Sequence, residues 1–344
     1  MRAVPEAAEF EMKHIARVAA QFKGTARVLT PRGTFLAKPS GRLMYAAQRR
    51  EQLPAVGDWV VVRQEGEDST GLIQEVLPRK SKFSRKEAGE VTEEQIVAAN
   101  IDTVFLVMSL NRDFNIRRLE RYLVMAWDSG ANPVLVLTKA DLCEDLEGRL
   151  QDVAGAAPGV PVVVTSAVTG QGLPELAQHC PLGTTAALLG SSGAGKSTLI
   201  NHLLGEQRQW VQDVRTDDQR GRHTTTHREL FVMNHGGIVI DTPGMRELQL
   251  WDSEEGLDTA FHDVEELAAE CQFADCQHSS EPHCAVKQAL EHGTLSLERF
   301  ESYKKLQAEL AYLKRKEDVR AMQANKQFWK QVAKSGAAHK RTRY

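Results

Sequence analysis

The residues with the clearest chemical potential are Gly190-Ser191-Ser192-Gly193-Ala194-Gly195-Lys196-Ser197-Thr198, which fit the spacing GxxxxGK[ST]. An apolar run, Ala186 to Leu189, precedes them, and an apolar helical pattern through Leu199, Ile200, Leu203 and Leu204 follows. Polyphosphate binding needs that strand, turn and helix setting. Glycines at 190, 193 and 195 let backbone N–H groups turn inward, and the helix presents its positive end. Lys196 reaches the outer phosphates and Ser197 can ligate Mg²⁺.

A second element, Thr138-Lys139-Ala140-Asp141, follows Pro133 to Leu137, which reads as a buried parallel strand. Asp141 is therefore expected at the C-terminal end of that strand, where open α/β sheets bind ligands. An ionised carboxylate only accepts, and guanine offers it two adjacent donors, the ring N1–H and the exocyclic amine, which adenine lacks. Leaving such a contact unmade can discriminate by about 10⁴- to 10⁵-fold, which favours GTP over ATP. Thr138 stands where many such motifs carry Asn, so weaker bracing of the loop is expected, with the role of Asp141 intact.

Three further elements complete the set. After the strand-like run Val160 to Val164 comes Thr165-Ser166-Ala167, whose Ser166 and Ala167 match a loop that closes over guanine. Beyond the phosphate loop lie Gly221-Arg222-His223-Thr224-Thr225-Thr226, a candidate switch I, and Asp241-Thr242-Pro243-Gly244, a DxxG switch II. Asp241 ends the strand-like run Gly237 to Ile240 and can hold Mg²⁺ through water, while the Gly244 N–H can meet a γ-phosphate. Thr225 is the expected switch I magnesium ligand, with Thr224 as the alternative. The base-reading element precedes the phosphate loop by about fifty residues, the reverse of the usual order, so a circular permutation is expected.

A Gln next to DxxG often orients the attacking water. Met245 occupies that place here, and a thioether cannot polarise water usefully. Unaided hydrolysis should be slow, and His223 is the candidate catalytic residue, against the competing reading of a surface-loop histidine.

These groups need a scaffold. Residues 1 to about 20 are rich in Ala and Glu and read as a helix or loose tail, an N-terminal extension over 1–21. Residues 22–84 show β-type runs at Thr25 to Leu29, Thr34 to Ala37, Arg42 to Ala46, Asp58 to Val62 and Gly71 to Val76, separated by turns. Five short strands suggest a Greek-key barrel of the OB-fold type. Lys23, Arg27, Arg32, Lys38, Arg42, Arg49, Arg50 and Arg63 lie among them, which favours RNA over merely solubilising charge. The nucleotide-binding α/β domain is expected over 85–250, opening with a buried strand within Asn100 to Leu110 and a helix near Ile116 to Trp127.

The remainder, 251–344, carries Cys271, Cys276, His278 and Cys284. Three thiolates and one imidazole can close a tetrahedral zinc shell with no open position, which makes it structural. His283 is an alternative ligand, and Cys143 and Cys180 stand apart. A helical pattern then runs through Phe300, Tyr303, Leu306, Leu310 and Leu313 into a basic tail. The DxxG segment runs directly into this domain, an arrangement suited to a conformational switch.

TKAD, GSSGAGKST, GRHTTT, DTPG and the cysteine cluster together resemble the circularly permuted bacterial ribosome-assembly GTPases, the small ribosomal subunit-dependent GTPase A family, over nearly the whole chain. The resemblance implies an N-terminal OB barrel, a central permuted P-loop domain and a C-terminal α-helical zinc domain. It also implies action in late maturation of the small (30S) subunit, with rRNA as partner and GTP hydrolysis stimulated by that subunit, and it points to His223 as well.

The net charge of −3 over 344 residues hides an asymmetry. Lys304 to Tyr344 holds twelve Lys and Arg against three Asp and Glu, so this end is +9 and the rest −12. Phe328 and Trp329 among lysines favour RNA there, since aromatics stack on bases. With 42% hydrophobic residues and no long apolar span, the chain is expected to be cytoplasmic, monomeric and without membrane contact. Two other functions compete: a GTP-gated RNA-binding module in which hydrolysis only drives release, and a P-loop kinase or ATPase, which Asp141 opposes.

Overall fold

The computed structural model describes residues 13–64, 70–86, 94–111, 113–205, 228–241 and 254–315. The chain divides between residues 249 and 250 into two compact units. In the first, β1 (Lys13–Phe22), β2 (Thr25–Thr30), β3 (Gly33–Pro39), β4 (Trp59–Arg63) and β5 (Gly71–Val76) pair in the order β1-β2-β3-β5-β4 and close back onto β1. All pairs are antiparallel except β3 with β5, and this closed five-stranded barrel is of the OB type. Ala16, Val18, Ala26, Val28, Ala37, Val60, Val62 and Ile73 fill it. Closure removes the unpaired edges that an open sheet would expose.

The five strands are not the five that the sequence suggests. Arg42 to Ala46 lies in a helix, α1 (Gly41–Ala46), because the Ser40 hydroxyl accepts the Leu43 N–H at 3.1 Å and caps it, and Arg42, Leu43 and Met44 favour helix. The missing strand is β1, inside the stretch expected as an extension. It pairs with β2, β4 and β12 (Glu229–Val232), and Ala16 to Ala20 are all buried, so no period-two alternation marks it.

A hairpin, β6 (Lys82–Lys86) with β7 (Glu94–Ala99), links the barrel to the α/β part. The expected boundary at 84/85 falls inside β6. Beyond it lie β8 (Thr103–Ser109), β9 (Asn132–Thr138), β10 (Val162–Val164), β11 (Thr185–Gly190) and β13 (Ile238–Asp241), interleaved with α2 (Ile116–Asp128), α3 (Leu146–Ala156), α4 (Leu173–Gln178) and α5 (Lys196–Leu204). The sheet order is β10-β9-β8-β11-β13-β12, parallel apart from β12. Parallel strands buried on both faces read as continuous apolar runs, which is why these were legible.

At the start of β11 the barrel grips the sheet. Buried Arg17 donates to the carbonyls of Gly57 (2.7 Å) and Asn100 (3.0 Å) and to the Thr185 hydroxyl (3.1 Å). Nearby, Arg27 pairs with Glu229 at 2.5 Å.

The second unit is helical, with helices Glu254–Ala260, His262–Ala269 and Ala285–His292 and a further helix over 297–315. Phe261, Val264, Val286, Phe300 and Tyr303 are buried in it. Arg299 forms a two-pronged pair with Asp263, both contacts at 2.6 Å, and lies over the Phe261 ring. Among the described residues no helix is long and apolar enough to cross a membrane.

Candidate functional site

Because the strands of the sheet are parallel, the C-terminal ends of β8, β9, β10, β11 and β13 share one edge. Central β11 ends at Gly190, where a Cβ would lie 2.3 Å from the Val107 carbonyl oxygen, so only glycine lets the loop leave the sheet there. The loop re-enters helix at Gly195, whose φ of 99° a β-carbon would oppose. Ser192 and Gly193 are exposed on the turn, Ser197 and Thr198 are exposed in the first turn of α5, and Ala194 is buried beneath. Lys196 Nζ donates to the carbonyls of Gly190 (2.7 Å) and Ser191 (2.6 Å), which curls the chain around the ammonium. A loop so shaped, with open N–H groups at a helix start, can accept an anion.

β9 delivers Thr138 to Asp141 against this loop. The Thr138 hydroxyl donates to the Ala194 carbonyl at 2.6 Å, and Lys139, held at φ 61°, donates to that of Gly193 at 2.7 Å. The expected weakness of bracing is not found: Thr138 is buried and makes the bond itself. Asp141 is exposed, with Oδ1 accepting the Ser166 hydroxyl at 2.5 Å, while Ala140 N–H reaches the Thr165 carbonyl at 3.1 Å. Buried Ser166 thus orients the carboxylate and exposed Ala167 follows at the rim. Asp241 closes β13 beside β11 on the same edge. His223, Thr224, Thr225 and Gly244 lie outside the described residues, as do Met245 and the basic tail beyond 315.

The sequence reading missed Asp113. The chain leaving β8 turns on Asn111, whose Oδ1 accepts the Ser109 hydroxyl (2.9 Å) and the Asp113 N–H (3.0 Å), and Asn115 then caps α2. Asp113 accepts a hydrogen bond from the Ser191 hydroxyl of the phosphate loop and two from Arg118 at 2.8 Å. The Ser191 hydroxyl and then the Arg118 guanidinium hold its carboxyl below the ordinary value. A signal was present, since Asn111, Asp113 and Asn115 cluster between a buried strand and a helix, at the ligand edge.

In the second unit the donor atoms of Cys271, Cys276, His278 and Cys284 all lie within 4.8 Å of one another. Cys271 and Cys284 sulfurs are 3.8 Å apart, and His278 Nδ1 is 3.6 and 3.4 Å from them. Metal bonds of about 2.3 Å to sulfur and 2.0 Å to nitrogen give tetrahedral edges of about 3.8 and 3.5 Å, so the four can hold one metal ion. Burial pushes the His278 imidazole below its ordinary value and favours the neutral, ligating form. His283 is not in the cluster. Glu281 accepts N–H bonds from Gln277 (3.0 Å), Ser279 (2.8 Å) and Ser280 (3.0 Å), fastening the loop that puts His278 at φ 57°. On the barrel, Lys23, Arg32, Lys38, Arg42, Arg49 and Arg50 are exposed, whereas Arg27 is engaged by Glu229.

The family model described as RsgA GTPase matches residues 76–251. The "Small ribosomal subunit biogenesis GTPase RsgA" of Opitutus terrae is 48% identical over 335 residues, covering 95% of this chain and 91% of the relative. This chain belongs to the RsgA GTPase family. A relative named "Small ribosomal subunit biogenesis GTPase RsgA 2", from Lactiplantibacillus plantarum, is 49% identical over 87% of this chain and 84% of its own. Among solved structures, YjeQ from Thermotoga maritima superposes with a TM-score of 0.67 at 29% identity, covering 87% of this chain and 99% of that one. YloQ, titled a circularly permuted GTPase, gives 0.63 at 27% identity, with 90% and 98% covered. An ABC transporter model also matches residues 173–339, a stretch that holds the phosphate loop and leaves out Thr138 to Asp141. As an RsgA GTPase the chain is a GTP hydrolase with a permuted P-loop domain.

Proposed function

We propose that this GTPase acts in late maturation of the small (30S) ribosomal subunit, as a cytoplasmic monomer that binds rRNA and hydrolyses GTP when the subunit stimulates it. One observation supports this most: a guanine-type loop, a closed barrel and a metal cluster occur in one chain, along the same length as relatives named for biogenesis of that subunit.

In this reading Asp141 accepts the guanine N1–H and amine, with Thr138, Lys139, Ala140, Ser166 and Ala167 shaping the base loop. Residues Gly190 to Thr198 carry the phosphates on backbone N–H groups, and Lys196 meets the outer ones. Ser197, Asp241 and Thr225 hold the magnesium, which when bound neutralises charge on the β- and γ-oxygens. The Gly244 N–H meets the γ-phosphate, and His223 orients the water for in-line attack. The ion held by Cys271, Cys276, His278 and Cys284 is zinc, because three soft thiolates and an imidazole in a closed tetrahedron select it. The exposed barrel cations and the basic tail contact rRNA.

Steady-state GTP hydrolysis with and without purified small subunits tests the reading. Stimulation of about 10²-fold or more is expected, the contribution typical of ordering one water-orienting group. His223→Ala should lose most of it while keeping GTP affinity and subunit binding. Equal rates with and without subunits would overturn the reading.

A further inference from the structure

We infer that Asp113 is a positioning residue for nucleotide binding: through Ser191 it holds the phosphate loop in its anion-accepting shape before any nucleotide arrives. Ser191 is fixed on two sides, its hydroxyl donating to the Asp113 carboxylate and its carbonyl accepting Lys196 at 2.6 Å. The peptide between these anchors cannot rotate without breaking a charge-assisted bond at one end, and such bonds are about twice as strong as neutral ones. Lys196 is in turn the residue whose ammonium must face the phosphates, so the Asp113 contact sets where that ammonium sits.

A carboxylate beside a site for a polyanion is costly unless its charge is offset. Here Arg118 offsets it with two 2.8 Å bonds, and Lys139 adds a further favourable field. Asp113 itself is held by Asn111, and Arg118 by the helix that Asn115 caps, so the brace stands on strand β8 and helix α2, and not on the loop it supports. Ordering the loop in advance removes part of the entropy lost on binding, and the gain is the same for GDP and GTP because the contact does not involve the γ-phosphate.

The test is the dissociation constants of GDP and a non-hydrolysable GTP analogue for full-length Asp113→Ala, Ser191→Ala and the double variant, with single-turnover hydrolysis at saturating GTP. Loss of a charge-assisted bond predicts about ten- to hundredfold weaker binding of both nucleotides, with a smaller loss of the single-turnover rate at saturating GTP than of affinity. The double variant should bind no worse than either single one, and Asp113→Asn, which keeps an acceptor but loses the charge, should fall between. Unchanged affinities overturn the brace. Additive losses show two separate contacts and overturn it as well, and a defect confined to the hydrolysis rate would move Asp113 to the chemical step. Ser191 is a half-buried turn residue whose hydroxyl meets Asp113, so agreement of Ser191→Ala with Asp113→Ala, at an unchanged melting temperature, separates a local effect from misfolding.

Discussion

The hydroxyl of Thr138 donates to the carbonyl of Ala194 at 2.6 Å, joining the base-reading loop to the phosphate loop through two buried residues 56 positions apart. The two loops are thereby tied to each other despite the permuted chain order. Thr138→Ala should leave a buried carbonyl without its donor, at about 1 to 3 kcal/mol. The expected outcome is a lower melting temperature and about tenfold weaker GDP binding, read by calorimetry. Thr138→Ser should recover most of both, and a silent Thr138→Ala would show that the bond carries no load.

Ser166 engages Oδ1 of Asp141, which leaves Oδ2 for the guanine base in the proposed reading. In Asp141→Asn the amide oxygen can still accept from Ser166, leaving the NH₂ to donate outward. Guanine then meets donors with a donor, while xanthine offers a C2 carbonyl. Competition binding should show GTP weakened by at least about a hundredfold and xanthosine triphosphate preferred. Unaltered base preference would remove Asp141 from the role.

For the metal cluster, we expect one zinc ion per chain in elemental analysis of protein purified without added metal. Stripping it with a chelator, or Cys284→Ser at the buried sulfur, should unfold the region around 271–284, since structural zinc supplies about 10 to 16 kcal/mol of apparent binding free energy to small domains. Limited proteolysis reads the loss. A metal-free protein equally resistant to cleavage would exclude a structural ion.

Glu281 gives a pH signature. Its carboxylate accepts backbone N–H groups of the ligand loop and is pulled down to about 2. A depressed carboxyl stabilises the fold above its ordinary value of 4.5 and loses that contribution as pH falls through about 2. At neutral pH, Glu281→Gln should therefore speed amide exchange at Ser279 and Ser280. Equal exchange in parent and variant at pH 7 would refute the tether.

The sequence by itself determined the parts whose chemistry is local. Phosphate cradling needs glycines and a lysine within nine residues, and metal binding needs four donors within fourteen, so spacing points to both, while the choice of His278 over His283 waited for the fold. Buried parallel strands were legible because water reaches neither face of their central residues, which are apolar in unbroken runs. Tertiary structure decided the rest. β1 lay unseen because two of its three partners, β4 and β12, are remote, and burial of Ala16 to Ala20 erased its alternation. The run Arg42 to Ala46 has the length of a strand between turn residues, but its helix-forming Arg42, Leu43 and Met44 behind the Ser40 cap made it helix. The polar cluster around Asp113 marked a turn at the ligand edge, but the role of Asp113 depends on Ser191, 78 residues away. Thr138 looked like a weakened Asn until Ala194 was placed beside it. A hydrogen bond between distant residues leaves no spacing in the chain, and only the fold brings its two ends within reach.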